Sequence, residues 1–393
     1  MRLARKHPDR IVPEYSLTGD LLSFRRCARQ YRYQNGSSLP PSRPVQLWYG
    51  EFIHGLLENV YRLWRSRGGL PFPVPYTRLT LEDPVDAPPP GLADFDLRYL
   101  GWPVEESLLN QNKRARSRKA RLAAYRRAEA TVNMLAPHLF PLIAEAEERV
   151  IGTRMIPGTA SVENRAERYA LTGVIDVLTE IELGTAETGN LIRQAVQSVC
   201  PDLAGEFEVI VDYKGTRRPD TTTAEWREGE WQVQTYAWLR HEQRRSRRVA
   251  AGILIYVNEL SPGDGDVLAL KTAMRQNRTD VLPFLDSDKR MLENWRPGAR
   301  PDFSDDFLFS RAVRVIRVDD ASIDEATGAF DQTVSSIEMC VRQEEQAVSI
   351  LSTWSDNCID QKTCAACDFR YFCDGYQRNG NIVGNEDDVL DEI

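Results

Sequence analysis

Long apolar runs are missing from this sequence. No stretch reaches eighteen consecutive apolar residues, so no membrane-spanning helix is expected. The opening residues, MRLARKHPDRIVPEYS, are charged and lack the apolar centre of a signal peptide, so a cytoplasmic protein is expected. There is no Gly-x-x-x-x-Gly-Lys-Ser/Thr loop, which excludes a P-loop motor within this sequence, and there is no internal repeat. Positive charge is not in excess either: 50 Lys and Arg face 58 Asp and Glu, a net charge of −8. That balance argues weakly against a nucleic-acid partner, because phosphate contacts need only a local basic surface. The cysteines number seven, an odd count, and in a reducing compartment a disulfide framework is not expected.

What is present suits a folded protein with a full core. The 393 residues are 42% hydrophobic and 27% charged, and the length suggests two or three domain-sized units. Helical spacing is read over 16–34 and again over 45–66, where Trp48, Phe52, Ile53, Leu56, Leu57, Val60 and Leu63 recur. A proline-rich stretch, 70–103, reads as a long loop, and 105–150 reads as basic and helical, interrupted by Pro137 and Pro141. Strands are expected at 145–156, 168–181 and 207–214, with an inserted helix and loop at 182–206. A helix at 225–243, a buried strand at 249–257, a polar helical stretch at 268–300, a strand at 311–318 and a long helix at 322–350 follow. The fold class is α/β with a mixed sheet flanked by helices. The expected division is 1–66 (N-terminal helical part), 67–150 (helical and loop insertion), 151–320 (core), 321–380 (C-terminal helix and Cys-rich segment) and 381–393 (acidic tail).

Basic residues cluster at 113–127, which holds eight Lys or Arg and no acid. Lys113, Arg114, Arg116, Arg118, Lys119 and Arg121 are therefore candidates for gripping DNA phosphates; the plainer alternative is the solvated face of a helix. Arg244, Arg245, Arg247 and Arg248 form a second cluster.

Four positions carry possible chemistry. Asp176, in Gly173-Val-Ile-Asp176, is a carboxylate inside an apolar strand, which is costly unless it meets a cation or the sheet edge. Asp212 and Lys214, at the end of FEVIVDYK, share one strand face by period-two alternation. A carboxylate beside an ammonium suits phosphodiester hydrolysis, the carboxylate holding Mg²⁺ or Mn²⁺ and the ammonium offsetting charge. His54 lies on the 45–66 helix, with Glu58 one turn later as its candidate partner. Gln232 and Tyr236 stand four apart on another helix and so share a face. Each of these signals alone has an ordinary structural explanation: a surface ion pair, a core histidine, an amphipathic tyrosine.

At the far end, Cys364, Cys367 and Cys373 have the spacing Cys-x2-Cys-x5-Cys. Three close thiolates leave one position open on a four-thiolate metal site, and either zinc or a [4Fe–4S] cluster accepts four. Cys27 and Cys358 compete for that position, and loop entropy favours the nearer Cys358. Cys200 and Cys340 read as ordinary buried thiols.

The order of these motifs resembles the RecB/AddB type of PD-(D/E)XK nucleases, including the CRISPR-associated RecB-like exonucleases. The resemblance covers 16–66, 168–257 and 311–376. It implies a restriction-endonuclease-like core, with His54, Asp176, Asp212 and the Tyr213 carbonyl as ligands of Mg²⁺ or Mn²⁺. It implies Lys214 as the motif lysine and Gln232 and Tyr236 beside the catalytic groups. Iron–sulfur members carry one N-terminal Cys and a C-terminal Cys-x2-Cys-x5-Cys, which implies a structural [4Fe–4S] cluster on Cys27, Cys364, Cys367 and Cys373. Ala28 departs from the proline common after the first Cys. The 70–150 region and the gap from Asp176 to Asp212 are longer than the family leads one to expect. The implied function is a DNA exonuclease acting on single strands or duplex ends, in repair or anti-phage defence, with a helicase partner in trans. The alternatives are a non-catalytic DNA-binding subunit and a nuclease for RNA.

Overall fold

The apolar, β-branched run ending in Asp212-Tyr213-Lys214 becomes an inner strand of a six-stranded mixed sheet. The computed structural model describes residues 5–7, 10–36, 46–80, 91–157, 166–182, 189–244, 246–358, 364 and 367–379. The strands are β1 (Arg5–His7), β2 (Arg10–Val12), β3 (Glu14–Ser16), β4 (Ile143–Met155), β5 (Arg168–Glu182), β6 (Glu206–Lys214), β7 (Val249–Tyr256) and β8 (Val313–Arg317). The first eight helices are α1 (Ser23–Arg26), α2 (Ala28–Gly36), α3 (Gln46–Arg67), α4 (Leu97–Asn110), α5 (Arg118–Leu139), α6 (Leu191–Val199), α7 (Ala224–His241) and α8 (Val257–Leu260). Then come α9 (Asp264–Arg275), α10 (Asp286–Asn294), α11 (Asp305–Ala312), α12 (Asp320–Ala347), α13 (Ile350–Thr353) and α14 (Asp374–Asn379).

The sheet order is β3-β5-β6-β7-β8, with β4 pairing β5. The β3–β5 and β6–β7 pairs are parallel; β4–β5, β5–β6 and β7–β8 are antiparallel. Every residue of β7 is buried, as a strand covered on both faces requires. On one face Val209, Val211 and Tyr213 of β6 join a core with α3 and α5; on the other, Ile210 packs with α7 and α12.

Helix α7 is a buried layer rather than a surface helix. Trp231, Gln232, Val233, Thr235, Tyr236, Ala237, Trp238, Leu239 and Arg240 are all buried. It lies close to the sheet because Gly173 of β5 has no side chain: a Cβ there would stand 2.6 Å from Cε1 of Tyr236. On its far side Trp238 meets Phe330 of α12 with ring centroids 5.0 Å apart.

The two ends of the described chain meet. Trp354 is fully buried, with the rings of Phe24 and Tyr31 at 6.2 and 6.0 Å. Arg32 pairs with Glu344 at 2.6 Å, and Trp354 Nε1 donates to the same carboxylate at 2.6 Å.

The structure departs from the sequence reading in places that packing explains. The loop expected over 70–103 ends early, because Asp96 caps α4 by accepting from the backbone N–H of Arg98 at 2.8 Å. Pro103 and Pro137 lie inside helices α4 and α5, so the prolines do not end those helices. The strand expected at 311–318 is shorter, since 305–312 forms a helix capped by Ser304. A short strand, β3, joins the sheet where a helix start was expected. Among the described residues no helix is long and apolar enough to cross a membrane.

Candidate active site

The site lies where the β5–β6 ladder ends. The last pair is Val177 with Val211, although both strands run on past it. Beyond that pair the backbone N–H of Tyr213 donates to Oδ2 of Asp176 at 2.9 Å, so a side chain replaces the missing ladder bond. Asp176 also marks a slip in the alternation of β5. Ile175 and Leu178 pack on the α7 side, while Val177 and Ile181 pack on the α3 side. Across from Asp176, between the Ala146–Val177 and Glu148–Ile175 pairs, Glu147 takes a left-handed φ of 52°. Such a conformation is uncommon outside glycine, and the register shift of the β4–β5 ladder lies just before it, between Ile143 and Glu145.

Helix α3 brings His54 to this point from the opposite face. Its Nε2 lies 3.2 Å from the Tyr213 carbonyl and its Nδ1 lies 3.6 Å from Oδ1 of Asp176. Asp212 and Lys214 face α7, as alternation along β6 requires. Lys214 Nζ is 2.7 Å from Oδ2 of Asp212. Gln232 spans both: Nε2 donates to Oδ1 of Asp212 at 2.8 Å, and Oε1 accepts from Lys214 Nζ at 2.6 Å. Oδ2 of Asp212 is buried and, despite the nearby ammonium, takes no hydrogen bond of good alignment. Tyr236, one turn beyond Gln232, is buried against Gly173, and burial raises its phenol pKa far above the ordinary value. Burial, then repulsion from Asp212, pushes the Asp176 carboxyl up to about 6; His54, the Tyr213 N–H and Lys214 pull the other way.

A cavity of about 380 Å³ opens on this point, lined by His54, Glu58, Glu147, Asp176 and Tyr213 with an apolar wall of Leu57, Tyr61 and Phe140. Glu58 pairs with Arg62 one turn along rather than with His54. Glu147 has no sequence motif to announce it. Its place follows only from its register opposite Asp176 and its left-handed backbone.

Among the described residues no three His, Cys, Asp or Glu side chains are gathered closely enough to hold an ion in this conformation. The chemistry of the set nonetheless fits a hard divalent cation. It offers carboxylates, a backbone carbonyl and one imidazole, a buried carboxylate oxygen without an aligned donor, and two acids whose mutual repulsion a cation relieves.

The basic segment divides in two. Arg114, Arg116, Arg118 and Lys119 are exposed around the start of α5. Lys113 pairs with Glu51 at 2.6 Å, which seats the segment about one turn from His54 along α3. Arg121 faces inward instead: it is buried and bonded to both oxygens of Glu105 at 2.6 and 2.7 Å. In the second cluster Arg247 pairs with Glu206 at 2.8 Å, and Arg245 lies outside the described residues.

Five cysteines surround a second cavity of about 330 Å³: Cys27, Cys358, Cys364, Cys367 and Cys373. Cys358 is hydrogen-bonded to both Cys27 and Cys364. At Cys27 that hydrogen bond, with burial second, raises the thiol pKa; at Cys364 and Cys367 burial is the main cause of the rise. Cys200 and Cys340 are buried elsewhere, in α6's C-cap and in α12.

Fold and site together define an α/β protein in which a strand carboxylate and an Asp-x-Lys pair meet at the mouth of a mixed sheet. The family model of the PD-(D/E)XK nuclease superfamily matches residues 19–187. That segment is similar to the superfamily, and the mixed sheet flanked by helices is consistent with its fold. The match takes in His54 and Asp176, covers less than half of the chain, and stops before β6 with Asp212 and Lys214. A search of curated proteins returns no match.

Proposed function

We propose that this protein is a Mg²⁺- or Mn²⁺-dependent deoxyribonuclease that hydrolyses phosphodiester bonds in single strands or at duplex ends. The observation that carries the reading is that Asp176, beside His54, takes the backbone N–H of Tyr213, the residue between Asp212 and Lys214, at the end of the β5–β6 ladder. His54, Asp176, Asp212 and the Tyr213 carbonyl are the groups that would hold the cation. Bound there, it supplies charge that polarises a phosphoryl oxygen and eases deprotonation of water.

The chain's own residues do the rest. Lys214, half-buried at the strand end, offsets charge that develops on the phosphate. Gln232 orients Lys214 and Asp212 together, since each of its amide atoms serves one of them. Arg114, Arg116, Arg118 and Lys119 offer phosphate contacts, and the Lys113–Glu51 pair sets them beside α3.

The cysteine cavity holds, in this reading, a structural [4Fe–4S] cluster on Cys27, Cys364, Cys367 and Cys373. The donor set fits, being all thiol. Zinc accepts the same four thiolates, and the resemblance to iron–sulfur members of the RecB/AddB type is what favours the cluster. The resemblance to RecB/AddB-type enzymes supports DNA as substrate, a helicase partner in trans, and a role in repair or anti-phage defence.

The test is cleavage of labelled single- and double-stranded DNA by anaerobically purified protein with Mn²⁺ or Mg²⁺, beside Asp212→Asn and Lys214→Ala. Wild type is expected to cut and both variants to lose activity while keeping the far-ultraviolet circular dichroism of the folded protein. Equal cutting by all three rejects the site; cutting of RNA alone rejects the substrate.

A further inference from the structure

The cluster reading uses four of the five cavity thiols and leaves Cys358 over. We infer that Cys27 and Cys358 are interchangeable holders of one coordination position, so that the N-terminal arm lets go of the metal without the metal leaving the protein. The inference rests on the cluster reading above and deepens it.

Three observations carry it. First, Cys358 is not at the margin of the set. It lines the same cavity and is hydrogen-bonded to Cys27 on one side and Cys364 on the other. Second, the two thiols are delivered by one braced unit. Arg29, two residues past Cys27, is buried, and its backbone N–H donates to the Ser355 carbonyl at 3.0 Å. Its guanidinium donates to the carbonyls of Trp354 and Leu351 at 3.1 and 3.0 Å and to Oδ2 of Asp356 at 3.0 Å. Third, the segment bearing Cys373 packs against that same stretch, since a Cβ on Gly375 would stand 2.8 Å from the Asp356 carbonyl.

The exchange balances without any other reactant. One metal–sulfur bond, to Cys27, breaks, and one, to Cys358, forms. The proton of the incoming Cys358 thiol ends on the outgoing Cys27 sulfur, and no electron is transferred. A thiolate replaces a thiolate, so the charge on the metal group is unchanged. What changes is the arm. Cys27 ends α1, whose Arg25 guanidinium lies 4.5 Å above the Trp231 ring and whose Arg26 pairs with Glu228 at 3.2 Å. Both partners are on α7, and Trp231 immediately precedes Gln232. With Cys358 in place of Cys27, α1 loses its tie to the metal group and keeps the Phe24 ring against Trp354 and its two surface contacts with α7.

The test uses full-length protein purified anaerobically as wild type, Cys27→Ser, Cys358→Ser, the double variant, and Cys200→Ser as control. Iron and acid-labile sulfide per chain are measured, with far-ultraviolet circular dichroism to follow folding. Each single variant is expected to keep the wild-type iron content and the double variant to lose it. Trypsin cutting after Arg25 and Arg26 should be several-fold faster in Cys27→Ser than in Cys358→Ser at equal iron content. Iron lost from Cys27→Ser alone, iron kept by the double variant, or equal cutting rates in the two singles each overturn the exchange. Wild type purified without iron overturns the cluster reading itself, and the exchange with it.

Discussion

Gln232 donates through Nε2 to Oδ1 of Asp212 at 2.8 Å, and this bond decides how the site is held. Its Oε1 accepts from Lys214 Nζ at 2.6 Å, so one buried amide orients both members of the Asp-x-Lys pair. Gln232→Leu preserves bulk and removes both bonds. DNA cleavage should fall about 10- to 100-fold, the usual cost of losing a group that orients a metal ligand, with Mn²⁺ binding weakened in parallel. Activity within twofold of wild type would show that the amide has no orienting role.

Gly173→Ala tests the seat of α7 on the sheet. The added methyl meets the Tyr236 ring at 2.6 Å and Cδ1 of Leu239 at 3.3 Å. Both partners are buried, so neither swings away freely. A loss of about 1–3 kcal/mol is expected in denaturant unfolding, as for other overpacked cores. Cleavage should fall too, because Tyr236 shares its helix face with Gln232. Unchanged stability would mean that α7 shifts as a body at little cost.

Much of this site was legible in the sequence because it rests on local periodicity. Alternation along FEVIVDYK put Asp212 and Lys214 on one face, and helical spacing put Gln232 with Tyr236; both arrangements appear in the structure. Glu147 was not legible. Its placement depends on its register opposite Asp176 and on the slip there, which arise from pairing between strands and leave no trace in either strand alone. Arg121 was read as part of a basic surface, but its partner Glu105 is on another helix, beyond the reach of any i,i+4 rule. In the sequence, Cys358 and Cys27 compete for a single place. Their shared cavity depends on how Arg29 braces 351–356, a contact across more than 320 residues.

The same division of the basic segment gives a contrast between two arginines. Arg114 is exposed, so Arg114→Ala should leave the melting temperature unchanged and weaken binding to single-stranded DNA, lowering the slope of log K against log salt by about 0.7. Arg121→Ala removes one half of a buried ion pair and strands Glu105, which should cost about 3–5 kcal/mol of stability. If Arg121→Ala proves as stable as wild type while losing DNA affinity, the inward placement of Arg121 is wrong.

Proton competition at Asp176 sets the pH range of metal binding. Its carboxyl is pushed up to about 6 in the metal-free protein, by burial and then by the charge on Asp212. A raised carboxyl pKa means the folded state binds the proton more tightly than the unfolded chain does. Its stabilising contribution is therefore present at low pH and lost as pH rises through about 6. The metal-free protein should lose stability over that window, and Asp176→Asn should remove this part of the pH dependence. The cation needs the same oxygens without the proton, so Mn²⁺ affinity should run the opposite way: nearly constant well above pH 6, and falling about tenfold per pH unit well below it for one linked proton. Calorimetric titration with Mn²⁺ across this range reads the linkage directly. An affinity independent of pH below 6 would show that Asp176 takes no part in holding the metal, and would leave its burial beside Asp212 without the compensation the site assignment gives it.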